Sequence, residues 1–147
     1  MRTIYEDATA TCKRVRAIVK KNWPATKFSV KCKKYSGGSS VTVTWNDGPQ
    51  SAEVDRKIKG LEGADFDGMQ DLKITTGFLA MEGDEMVRVV GADYIFTNRH
   101  FSPEREAKIQ QEMKAWWTPE QYSRIMACGC WKEMAESEQR LAATGKL

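Results

Sequence analysis

The sequence predicts an α+β fold in which helices cover one face of a mostly antiparallel sheet of about four strands. Three patterns support this prediction. Apolar residues recur at helical spacing near both ends of the chain, they alternate with polar residues in the middle, and glycine-rich turns separate the alternating segments. The elements follow the order α-β-β-α-β-β-α-α within a single domain of residues 1–147.

The first helix is predicted over residues 4–22, and Pro24 ends it. Its apolar face consists of Ala8, Cys12, Val15, Ile18 and Val19. A basic stripe lies away from that face and consists of Lys13, Arg16 and Lys20. The helix is therefore expected to pack on a core and to present positive charge to solvent.

A β-hairpin with two different faces is predicted next, with residues 36–40 as its loop. The apolar face carries Phe28, Val30, Cys32, Val41, Val43 and Trp45. The outer face carries lysines on the first strand and Thr42 and Thr44 on the second. Cys12 and Cys32 are both expected to be small core residues, because free cysteine is often buried.

The remaining elements are marked by turn and capping residues. Ser51 is expected to cap a short helix, residues 64–71 to form an acidic loop, and residues 82–85 to turn between two strand segments. Gly91 predicts a bulge or break. Ser102 and Thr118 are predicted to cap the helices of the segment 103–147, with Gln121 completing a capping box at the second.

Charge is distributed unevenly along the chain. Residues 1–35 hold ten lysines and arginines against two acidic residues, a net charge of +8, whereas residues 36–147 have a net charge of −5. A basic first third on an acidic body favours a polyanion or an acidic protein as partner. No apolar run is long enough for a membrane span and the first ten residues do not resemble a signal peptide, so a cytoplasmic protein is expected.

The basic surface is the main candidate binding site. Phosphate contacts are predicted for Lys13, Arg16, Lys20, Lys27, Lys31 and Lys33. The alternative is an ordinary solvated face whose lysines deter aggregation of an edge strand. Because Thr42 and Thr44 continue this face without aromatic residues, we expect no stacking platform for RNA bases.

Metal and catalytic sites are not expected. The segment 65–71 has some features of a calcium loop, but it lacks a third ligand before Gly68 and a later glutamate, so a turn with Asx hydrogen bonds is favoured. Cys128 and Cys130 are too close in sequence for a zinc pair. His100 could act as a general base, but no partner stands at a diagnostic spacing, so we predict that the protein is not an enzyme and needs no cofactor.

Five segments, taken together and in order, resemble one known family. They are KFSV (27–30), YSGGSS (35–40), WNDGP (45–49), FDGMQD (66–71) and ADYIFTNR (92–99). The stretch 25–102 resembles the large polyvalent protein-associated domains of the type numbered twenty-nine. Such domains occur in very large proteins of phages and conjugative elements and in small proteins of the same elements.

The resemblance implies a protein that protects a mobile element from host defences. We expect a small effector in the bacterial cytoplasm that counters a system such as CRISPR or restriction by binding a host protein or protein–nucleic acid complex. The alternative is a basic module that binds the DNA of the element, or RNA. The sequence leaves the oligomeric state open. Further binding candidates in loops and at strand ends are Tyr35, Asp47, Asp65, Asp67, Asp71, Arg99 and His100.

Overall fold

The structure is a computed structural model that describes residues 1–127 and Trp131. These residues form four α-helices, one 3₁₀ turn and eight β-strands, so the predicted α+β class is confirmed. The helices are α1 (Ala8–Asn22), α2 (Ser51–Ile58), α3 (Pro103–Trp116) and α4 (Pro119–Ala127), with the 3₁₀ turn at Lys59–Leu61. The strands are β1 (Thr3–Tyr5), β2 (Phe28–Tyr35), β3 (Gly38–Asn46), β4 (Ala64–Asp67), β5 (Leu72–Thr75), β6 (Phe78–Glu82), β7 (Glu85–Val90) and β8 (Tyr94–His100).

The number and order of the strands differ from the prediction. Instead of one sheet of about four strands, the described residues contain three small sheets with strand orders β2-β3-β8, β1-β7-β6 and β4-β5. The pairings of β3 with β8 and of β1 with β7 are parallel, and the other three are antiparallel. Parallel neighbours are joined by long crossovers, so the local sequence pattern does not reveal them.

The main core lies between two helices and the inner face of the sheet β2-β3-β8. Helix α1 buries Ala8, Cys12, Val15 and Val19, which follow the predicted apolar stripe. Val54 and Ile58 of α2 join the same cluster. The sheet contributes Val30, Val41, Val43, Trp45 and Ile95, so α1 and α2 pack on one face of this sheet, as predicted.

The first residues form a strand rather than the start of the helix. Thr3–Tyr5 pairs in parallel with Arg88–Val90 of β7, and α1 begins only at Ala8. The acidic segment 64–71, predicted as a loop, contributes β4 and the turn of a hairpin in which β4 pairs with β5. In both places pairing with another segment overrides the local preference of the residues.

Three smaller predictions also need correction. The β2–β3 turn contains only Ser36 and Gly37, with Gly37 at a φ of 88°, so β3 already begins at Gly38. The residue that precedes α2 is Gln50, and Ser51 is the first residue of the helix. Cys32 is exposed rather than buried, because β2 is the edge strand of its sheet and its side chains are covered from one side only.

By its internal contacts the chain separates into two compact units, Met1–His100 and Phe101–Leu147. In the second, the Ser102 hydroxyl accepts a hydrogen bond from the Arg105 backbone N–H, which confirms the predicted cap of α3. Thr118 and Gln121 exchange the two hydrogen bonds of a capping box at 3.2 and 3.4 Å, as predicted. The core of this unit contains Ile109, Met113 and Trp131.

The segment Cys128–Cys130 lies outside the described residues, so the spacing argument about these cysteines stays a prediction. Among the helices of the described part of the chain, none has both the length and the apolarity that crossing a membrane requires.

Candidate nucleic-acid interface

The face of the sheet β2-β3-β8 that points away from the core combines lysines with aromatic rings. Lys31 of β2 lies opposite Thr42 of β3, and Thr42 lies opposite Phe96 of β8. One step along the strands, Lys33, Ser40 and Tyr94 form a second row, in which Ser40 is buried and Tyr94 is half-buried. We call this surface the outer sheet face, defined by Lys31, Lys33, Tyr35, Thr42, Tyr94 and Phe96.

The aromatic residues on this face correct the sequence-based expectation that it lacks a stacking platform. The Phe96 side chain is 50% exposed and Tyr35, at the end of β2, is 45% exposed. Tyr94 and Phe96 lie beside each other with ring centroids 6.2 Å apart. Two strand spacings separate Phe96 from Lys31, a distance of roughly 10 Å. A ring and a cation at this separation can contact a base and a phosphate of one strand.

A third cation, Lys59, lies next to the Phe96 ring. Its Nζ donates a hydrogen bond to the Ile95 carbonyl oxygen of β8 and lies 5.6 Å from the centroid of the Phe96 ring. It also forms an ion pair with Glu62 at 3.0 Å. The Lys59 ammonium therefore stabilises the position of the Phe96 ring, while half of Phe96 stays exposed to solvent.

The predicted basic stripe of α1 meets the outer sheet face at the free edge of β2. The Arg16 guanidinium donates a hydrogen bond of 2.8 Å to the Val30 carbonyl oxygen of that strand. Lys20 and Lys27 lie beside it, and Lys13 is exposed one turn earlier on α1. Of the six predicted cations, Lys13, Arg16 and Lys20 belong to α1 and Lys31 and Lys33 belong to β2, and Lys27 directly precedes that strand.

A cleft of about 420 Å³ separates the end of α1 from the start of β2. Its apolar walls are formed by Val19, Pro24, Ala25, Phe28 and Val30, and Arg16, Lys20 and Lys27 also line it. Its size falls within the range of small-molecule and base pockets. The sequence indicated the cations of this cleft but not its apolar walls.

Asp47 and Arg99 have a structural role at the turn after β3. Arg99 Nε donates to the Asp47 carbonyl oxygen at 2.9 Å, and its Nη2 donates to the Gly48 carbonyl oxygen at 2.9 Å. Asp47 and Gly48 adopt φ angles of 53° and 63°, which this tight turn requires. The Trp45 indole N–H donates to the Pro49 carbonyl oxygen, so the segment WNDGP is fixed from both ends.

His100 lies at the end of β8, opposite Asn46, and its side chain is exposed. Its backbone carbonyl accepts a hydrogen bond of 2.7 Å from the Asp47 N–H. By strand alternation the imidazole belongs to the same side of the sheet as Phe96 and Asn98, where it borders the outer sheet face.

The acidic residues of the segment 64–71 lie on a separate hairpin. Asp65 accepts a hydrogen bond from the Phe66 N–H at 2.8 Å, and Asp67 accepts one from the Met69 N–H at 2.9 Å. The Asp67 bond reaches the residue two positions later, so it is an Asx hydrogen bond and agrees with a turn after β4, whereas Asp65 bonds to the next residue within that strand. Asp71 closes the turn with a φ of 53°.

Asp93 connects this hairpin to the sheet, a role that the sequence did not reveal. Its Oδ2 accepts hydrogen bonds from the Ser39 N–H at 3.2 Å and from Lys73 Nζ at 2.8 Å. Lys73 also donates to the Gly37 carbonyl oxygen at 2.9 Å. The hydrogen bond to Asp93 raises the pKa of Lys73 above its ordinary value.

Hydrogen bonds fix two of the family-like segments, WNDGP and FDGMQD, and in both they stabilise a turn. Comparison with known families gives a match to large polyvalent protein associated domain 29 over residues 6–102, which includes α1 as well as the five segments. No curated protein and no solved structure matches the chain. The matched residues cover about two thirds of the chain. The chain thus belongs to the family of large polyvalent protein associated domain 29, which is associated with polyvalent proteins of phages and other mobile elements.

Proposed function

We propose that the chain is a non-catalytic binding protein of a mobile genetic element and that its outer sheet face binds single-stranded nucleic acid. The observation that carries this proposal is the row Lys31–Thr42–Phe96, in which the parallel pairing of β3 and β8 places an exposed ring in line with an exposed lysine. Lysines attract phosphates, and aromatic faces accept stacked bases of any sequence.

The neighbouring cleft supports the same proposal. A strand that crosses the outer sheet face reaches the free edge of β2, where Lys27, Arg16 and Lys20 offer further phosphate contacts. The apolar wall formed by Phe28 and Val30 provides room for an unstacked base. Because double-stranded DNA keeps its bases stacked inside the duplex, this surface favours single strands.

The test is a titration of labelled oligonucleotides of about 12 nucleotides, single-stranded and double-stranded, followed by fluorescence anisotropy. We expect saturable binding to single strands at low salt, weaker binding to the duplex, and a steep loss of affinity as salt rises. Absence of binding even at low salt would refute the proposal.

A second candidate is binding of a host defence protein or protein–nucleic acid complex in the bacterial cytoplasm, which would counter a system such as CRISPR or restriction. The separation of charge favours it: the cations surround β2, whereas residues 62–86 hold seven acidic residues and one lysine. An acidic surface of this kind can occupy a basic site that normally takes nucleic acid.

This second candidate is tested in cells that carry an active defence system. We expect expression of the chain to raise phage or plasmid survival, and a variant in which Asp65 and Asp67 are both replaced by asparagine to lose most of that effect. Survival that is the same with and without the chain, across restriction and CRISPR systems, would contradict it.

A further inference from the structure

The hairpin of β4 and β5 presents aliphatic and acidic side chains together to solvent. Among the residues that the structure describes, eleven large hydrophobic side chains are exposed, and seven of these lie between residues 66 and 86. Four of the seven belong to this hairpin: Phe66, Met69, Leu72 and Ile74. Scattered exposed hydrophobic residues are ordinary, but a concentration in one short segment marks an interaction site.

The register of the hairpin places acid and aliphatic groups side by side. Asp65 pairs with Ile74 and Asp67 pairs with Leu72, so all four side chains lie on one face of the ladder. Directly opposed side chains in such a pair lie about 5 Å apart. Leu72 is 56% exposed and Ile74 is 47% exposed, so this face is open. We call it the acidic hairpin face.

The opposite face of the same hairpin holds it on the rest of the unit. Lys73, which alternates with Leu72 and Ile74, bonds to Asp93 and to the Gly37 carbonyl oxygen. Two backbone hydrogen bonds also attach the base of the hairpin, from the Gly63 N–H to the Ala92 carbonyl and from the Ala64 N–H to the Asp93 carbonyl. A third, from the Thr76 N–H to the Gly63 carbonyl, closes the base of the hairpin itself. The acidic hairpin face therefore points away from its anchor and is presented by a fixed support.

The charges of this face identify the kind of partner that fits. Within residues 1–127, neither Asp65 nor Asp67 forms an ion pair, and each uses one carboxylate oxygen for a local backbone hydrogen bond. Asp65 is exposed and Asp67 is half-buried, and they lie opposite Ile74 and Leu72. An aliphatic surface flanked by carboxylates complements an apolar surface flanked by lysine or arginine.

We propose that the acidic hairpin face is a docking surface for a basic amphipathic segment of another protein. The leucine-type side chains of that segment contact Leu72 and Ile74, and its lysines or arginines pair with Asp65 and Asp67. This surface is distinct from the outer sheet face that we assign to nucleic acid. The proposal that the biological partner is a host defence protein rests on the second candidate function. The proposed chemistry of the contact rests only on the residues of the hairpin.

The test uses a labelled helical peptide with leucines on one side flanked by lysines, titrated with the full chain at low salt. Two control peptides replace either the lysines by glutamine or the leucines by serine. We expect saturable binding of the first peptide and at least about 10-fold weaker binding of each control, because both parts of the contact are needed.

Two double variants of the chain separate the contributions. Asp65→Asn with Asp67→Asn removes the charges but keeps side-chain oxygens for the two local hydrogen bonds, and Leu72→Ser with Ile74→Ser removes the aliphatic contact. Each pair is expected to weaken peptide binding at least about 10-fold. Glu104→Gln with Glu120→Gln, at exposed positions of α3 and α4 outside both proposed surfaces, removes the same number of negative charges and is the matched control, which should leave peptide binding unchanged.

Three outcomes would overturn the proposal: no saturable binding of the lysine peptide, equal binding of all three peptides, or unchanged binding by both hairpin variants. A fourth such outcome can come from sedimentation of the chain alone. If the wild type self-associates and Leu72→Ser with Ile74→Ser abolishes that association, the occupant is a second copy. Oligonucleotide binding, measured in parallel, should persist in both hairpin variants, so failure of this proposal is separable from failure of the nucleic-acid proposal.

Discussion

Arg99 bonds through Nε to the carbonyl oxygen of Asp47, although 52 positions separate the two residues in the chain. The contact joins the end of β8 to the turn that follows β3 and reinforces the parallel pairing of those strands. The same pairing brings Phe96 into line with Lys31. The family-like segments WNDGP and ADYIFTNR are thus two halves of one contact that supports the outer sheet face.

Removal of the Arg99 guanidinium should destabilise the first unit. Arg99→Gln removes the hydrogen bonds to the Asp47 and Gly48 carbonyl oxygens, and we expect the free energy of unfolding to fall by about 1–3 kcal/mol. Urea unfolding followed by circular dichroism measures this change. Arg88→Gln, at an exposed position of β7, is the control and should change stability by less than about 0.5 kcal/mol. Equal effects of the two substitutions would contradict the structural role of Arg99.

Loss of the Lys73 ammonium should loosen the β4–β5 hairpin locally. Lys73→Met removes both hydrogen bonds to Asp93 and Gly37, and because Lys73 is partly exposed we expect a local change of about 0.5–1 kcal/mol. Hydrogen exchange measured by mass spectrometry should show faster exchange in residues 64–75 and unchanged exchange in α1. Uniformly faster exchange in both segments would argue against a local anchor.

The two described cysteines should differ in reactivity. Burial, together with the neighbouring Cys32 thiol, raises the pKa of Cys12 to about 11, so about one thiol in a thousand is ionised at pH 8. Cys32 is exposed. Iodoacetamide should alkylate Cys32 at least about 10 times faster than Cys12, as measured by peptide mass spectrometry. Unfolding in urea should remove the difference, and similar rates in the folded protein would contradict the burial of Cys12.

The Asp7–Lys34 ion pair gives a prediction about pH. Hydrogen bonds from the Lys34 ammonium and from Thr9 lower the pKa of Asp7 to about 2. Because the folded pKa lies below the unfolded value, the stabilisation is present above about pH 4 and is lost as pH falls towards 2. Titration of the Asp7 carboxyl by NMR should give a midpoint near pH 2, and Lys34→Gln should shift that midpoint upward. An unshifted midpoint in the variant would rule out the pairing.

Local sequence patterns were sufficient to predict the elements whose structure depends on interactions between neighbouring residues. The apolar spacing of α1, the alternation along β2 and β3, and the caps at Ser102 and Thr118 all follow from short-range chemistry, and the structure confirms them. The cations of the basic surface could be named from the sequence for the same reason, since solvated lysines interrupt an apolar pattern wherever they occur, whereas their phosphate contacts stay a prediction.

Strand pairings between distant segments could not be predicted from the local sequence pattern. Tyr94 and Phe96 alternate with Ile95 and Thr97, but the side of the sheet that they share with Lys31 depends on the parallel register between β3 and β8. The hairpin of β4 and β5 was missed because aspartate disfavours strands on its own, and pairing with residues 72–75 supplies the stabilisation that the segment lacks.

The most direct test of the nucleic-acid proposal is the salt dependence of single-stranded oligonucleotide binding by two matched variants. Phe96→Ala should weaken binding about 5-fold or more without changing the slope of log affinity against log salt, because stacking releases no counterions. Lys31→Gln with Lys33→Gln should reduce the magnitude of that slope by about 1.4. If both variants bind with wild-type affinity and slope, the outer sheet face does not bind nucleic acid.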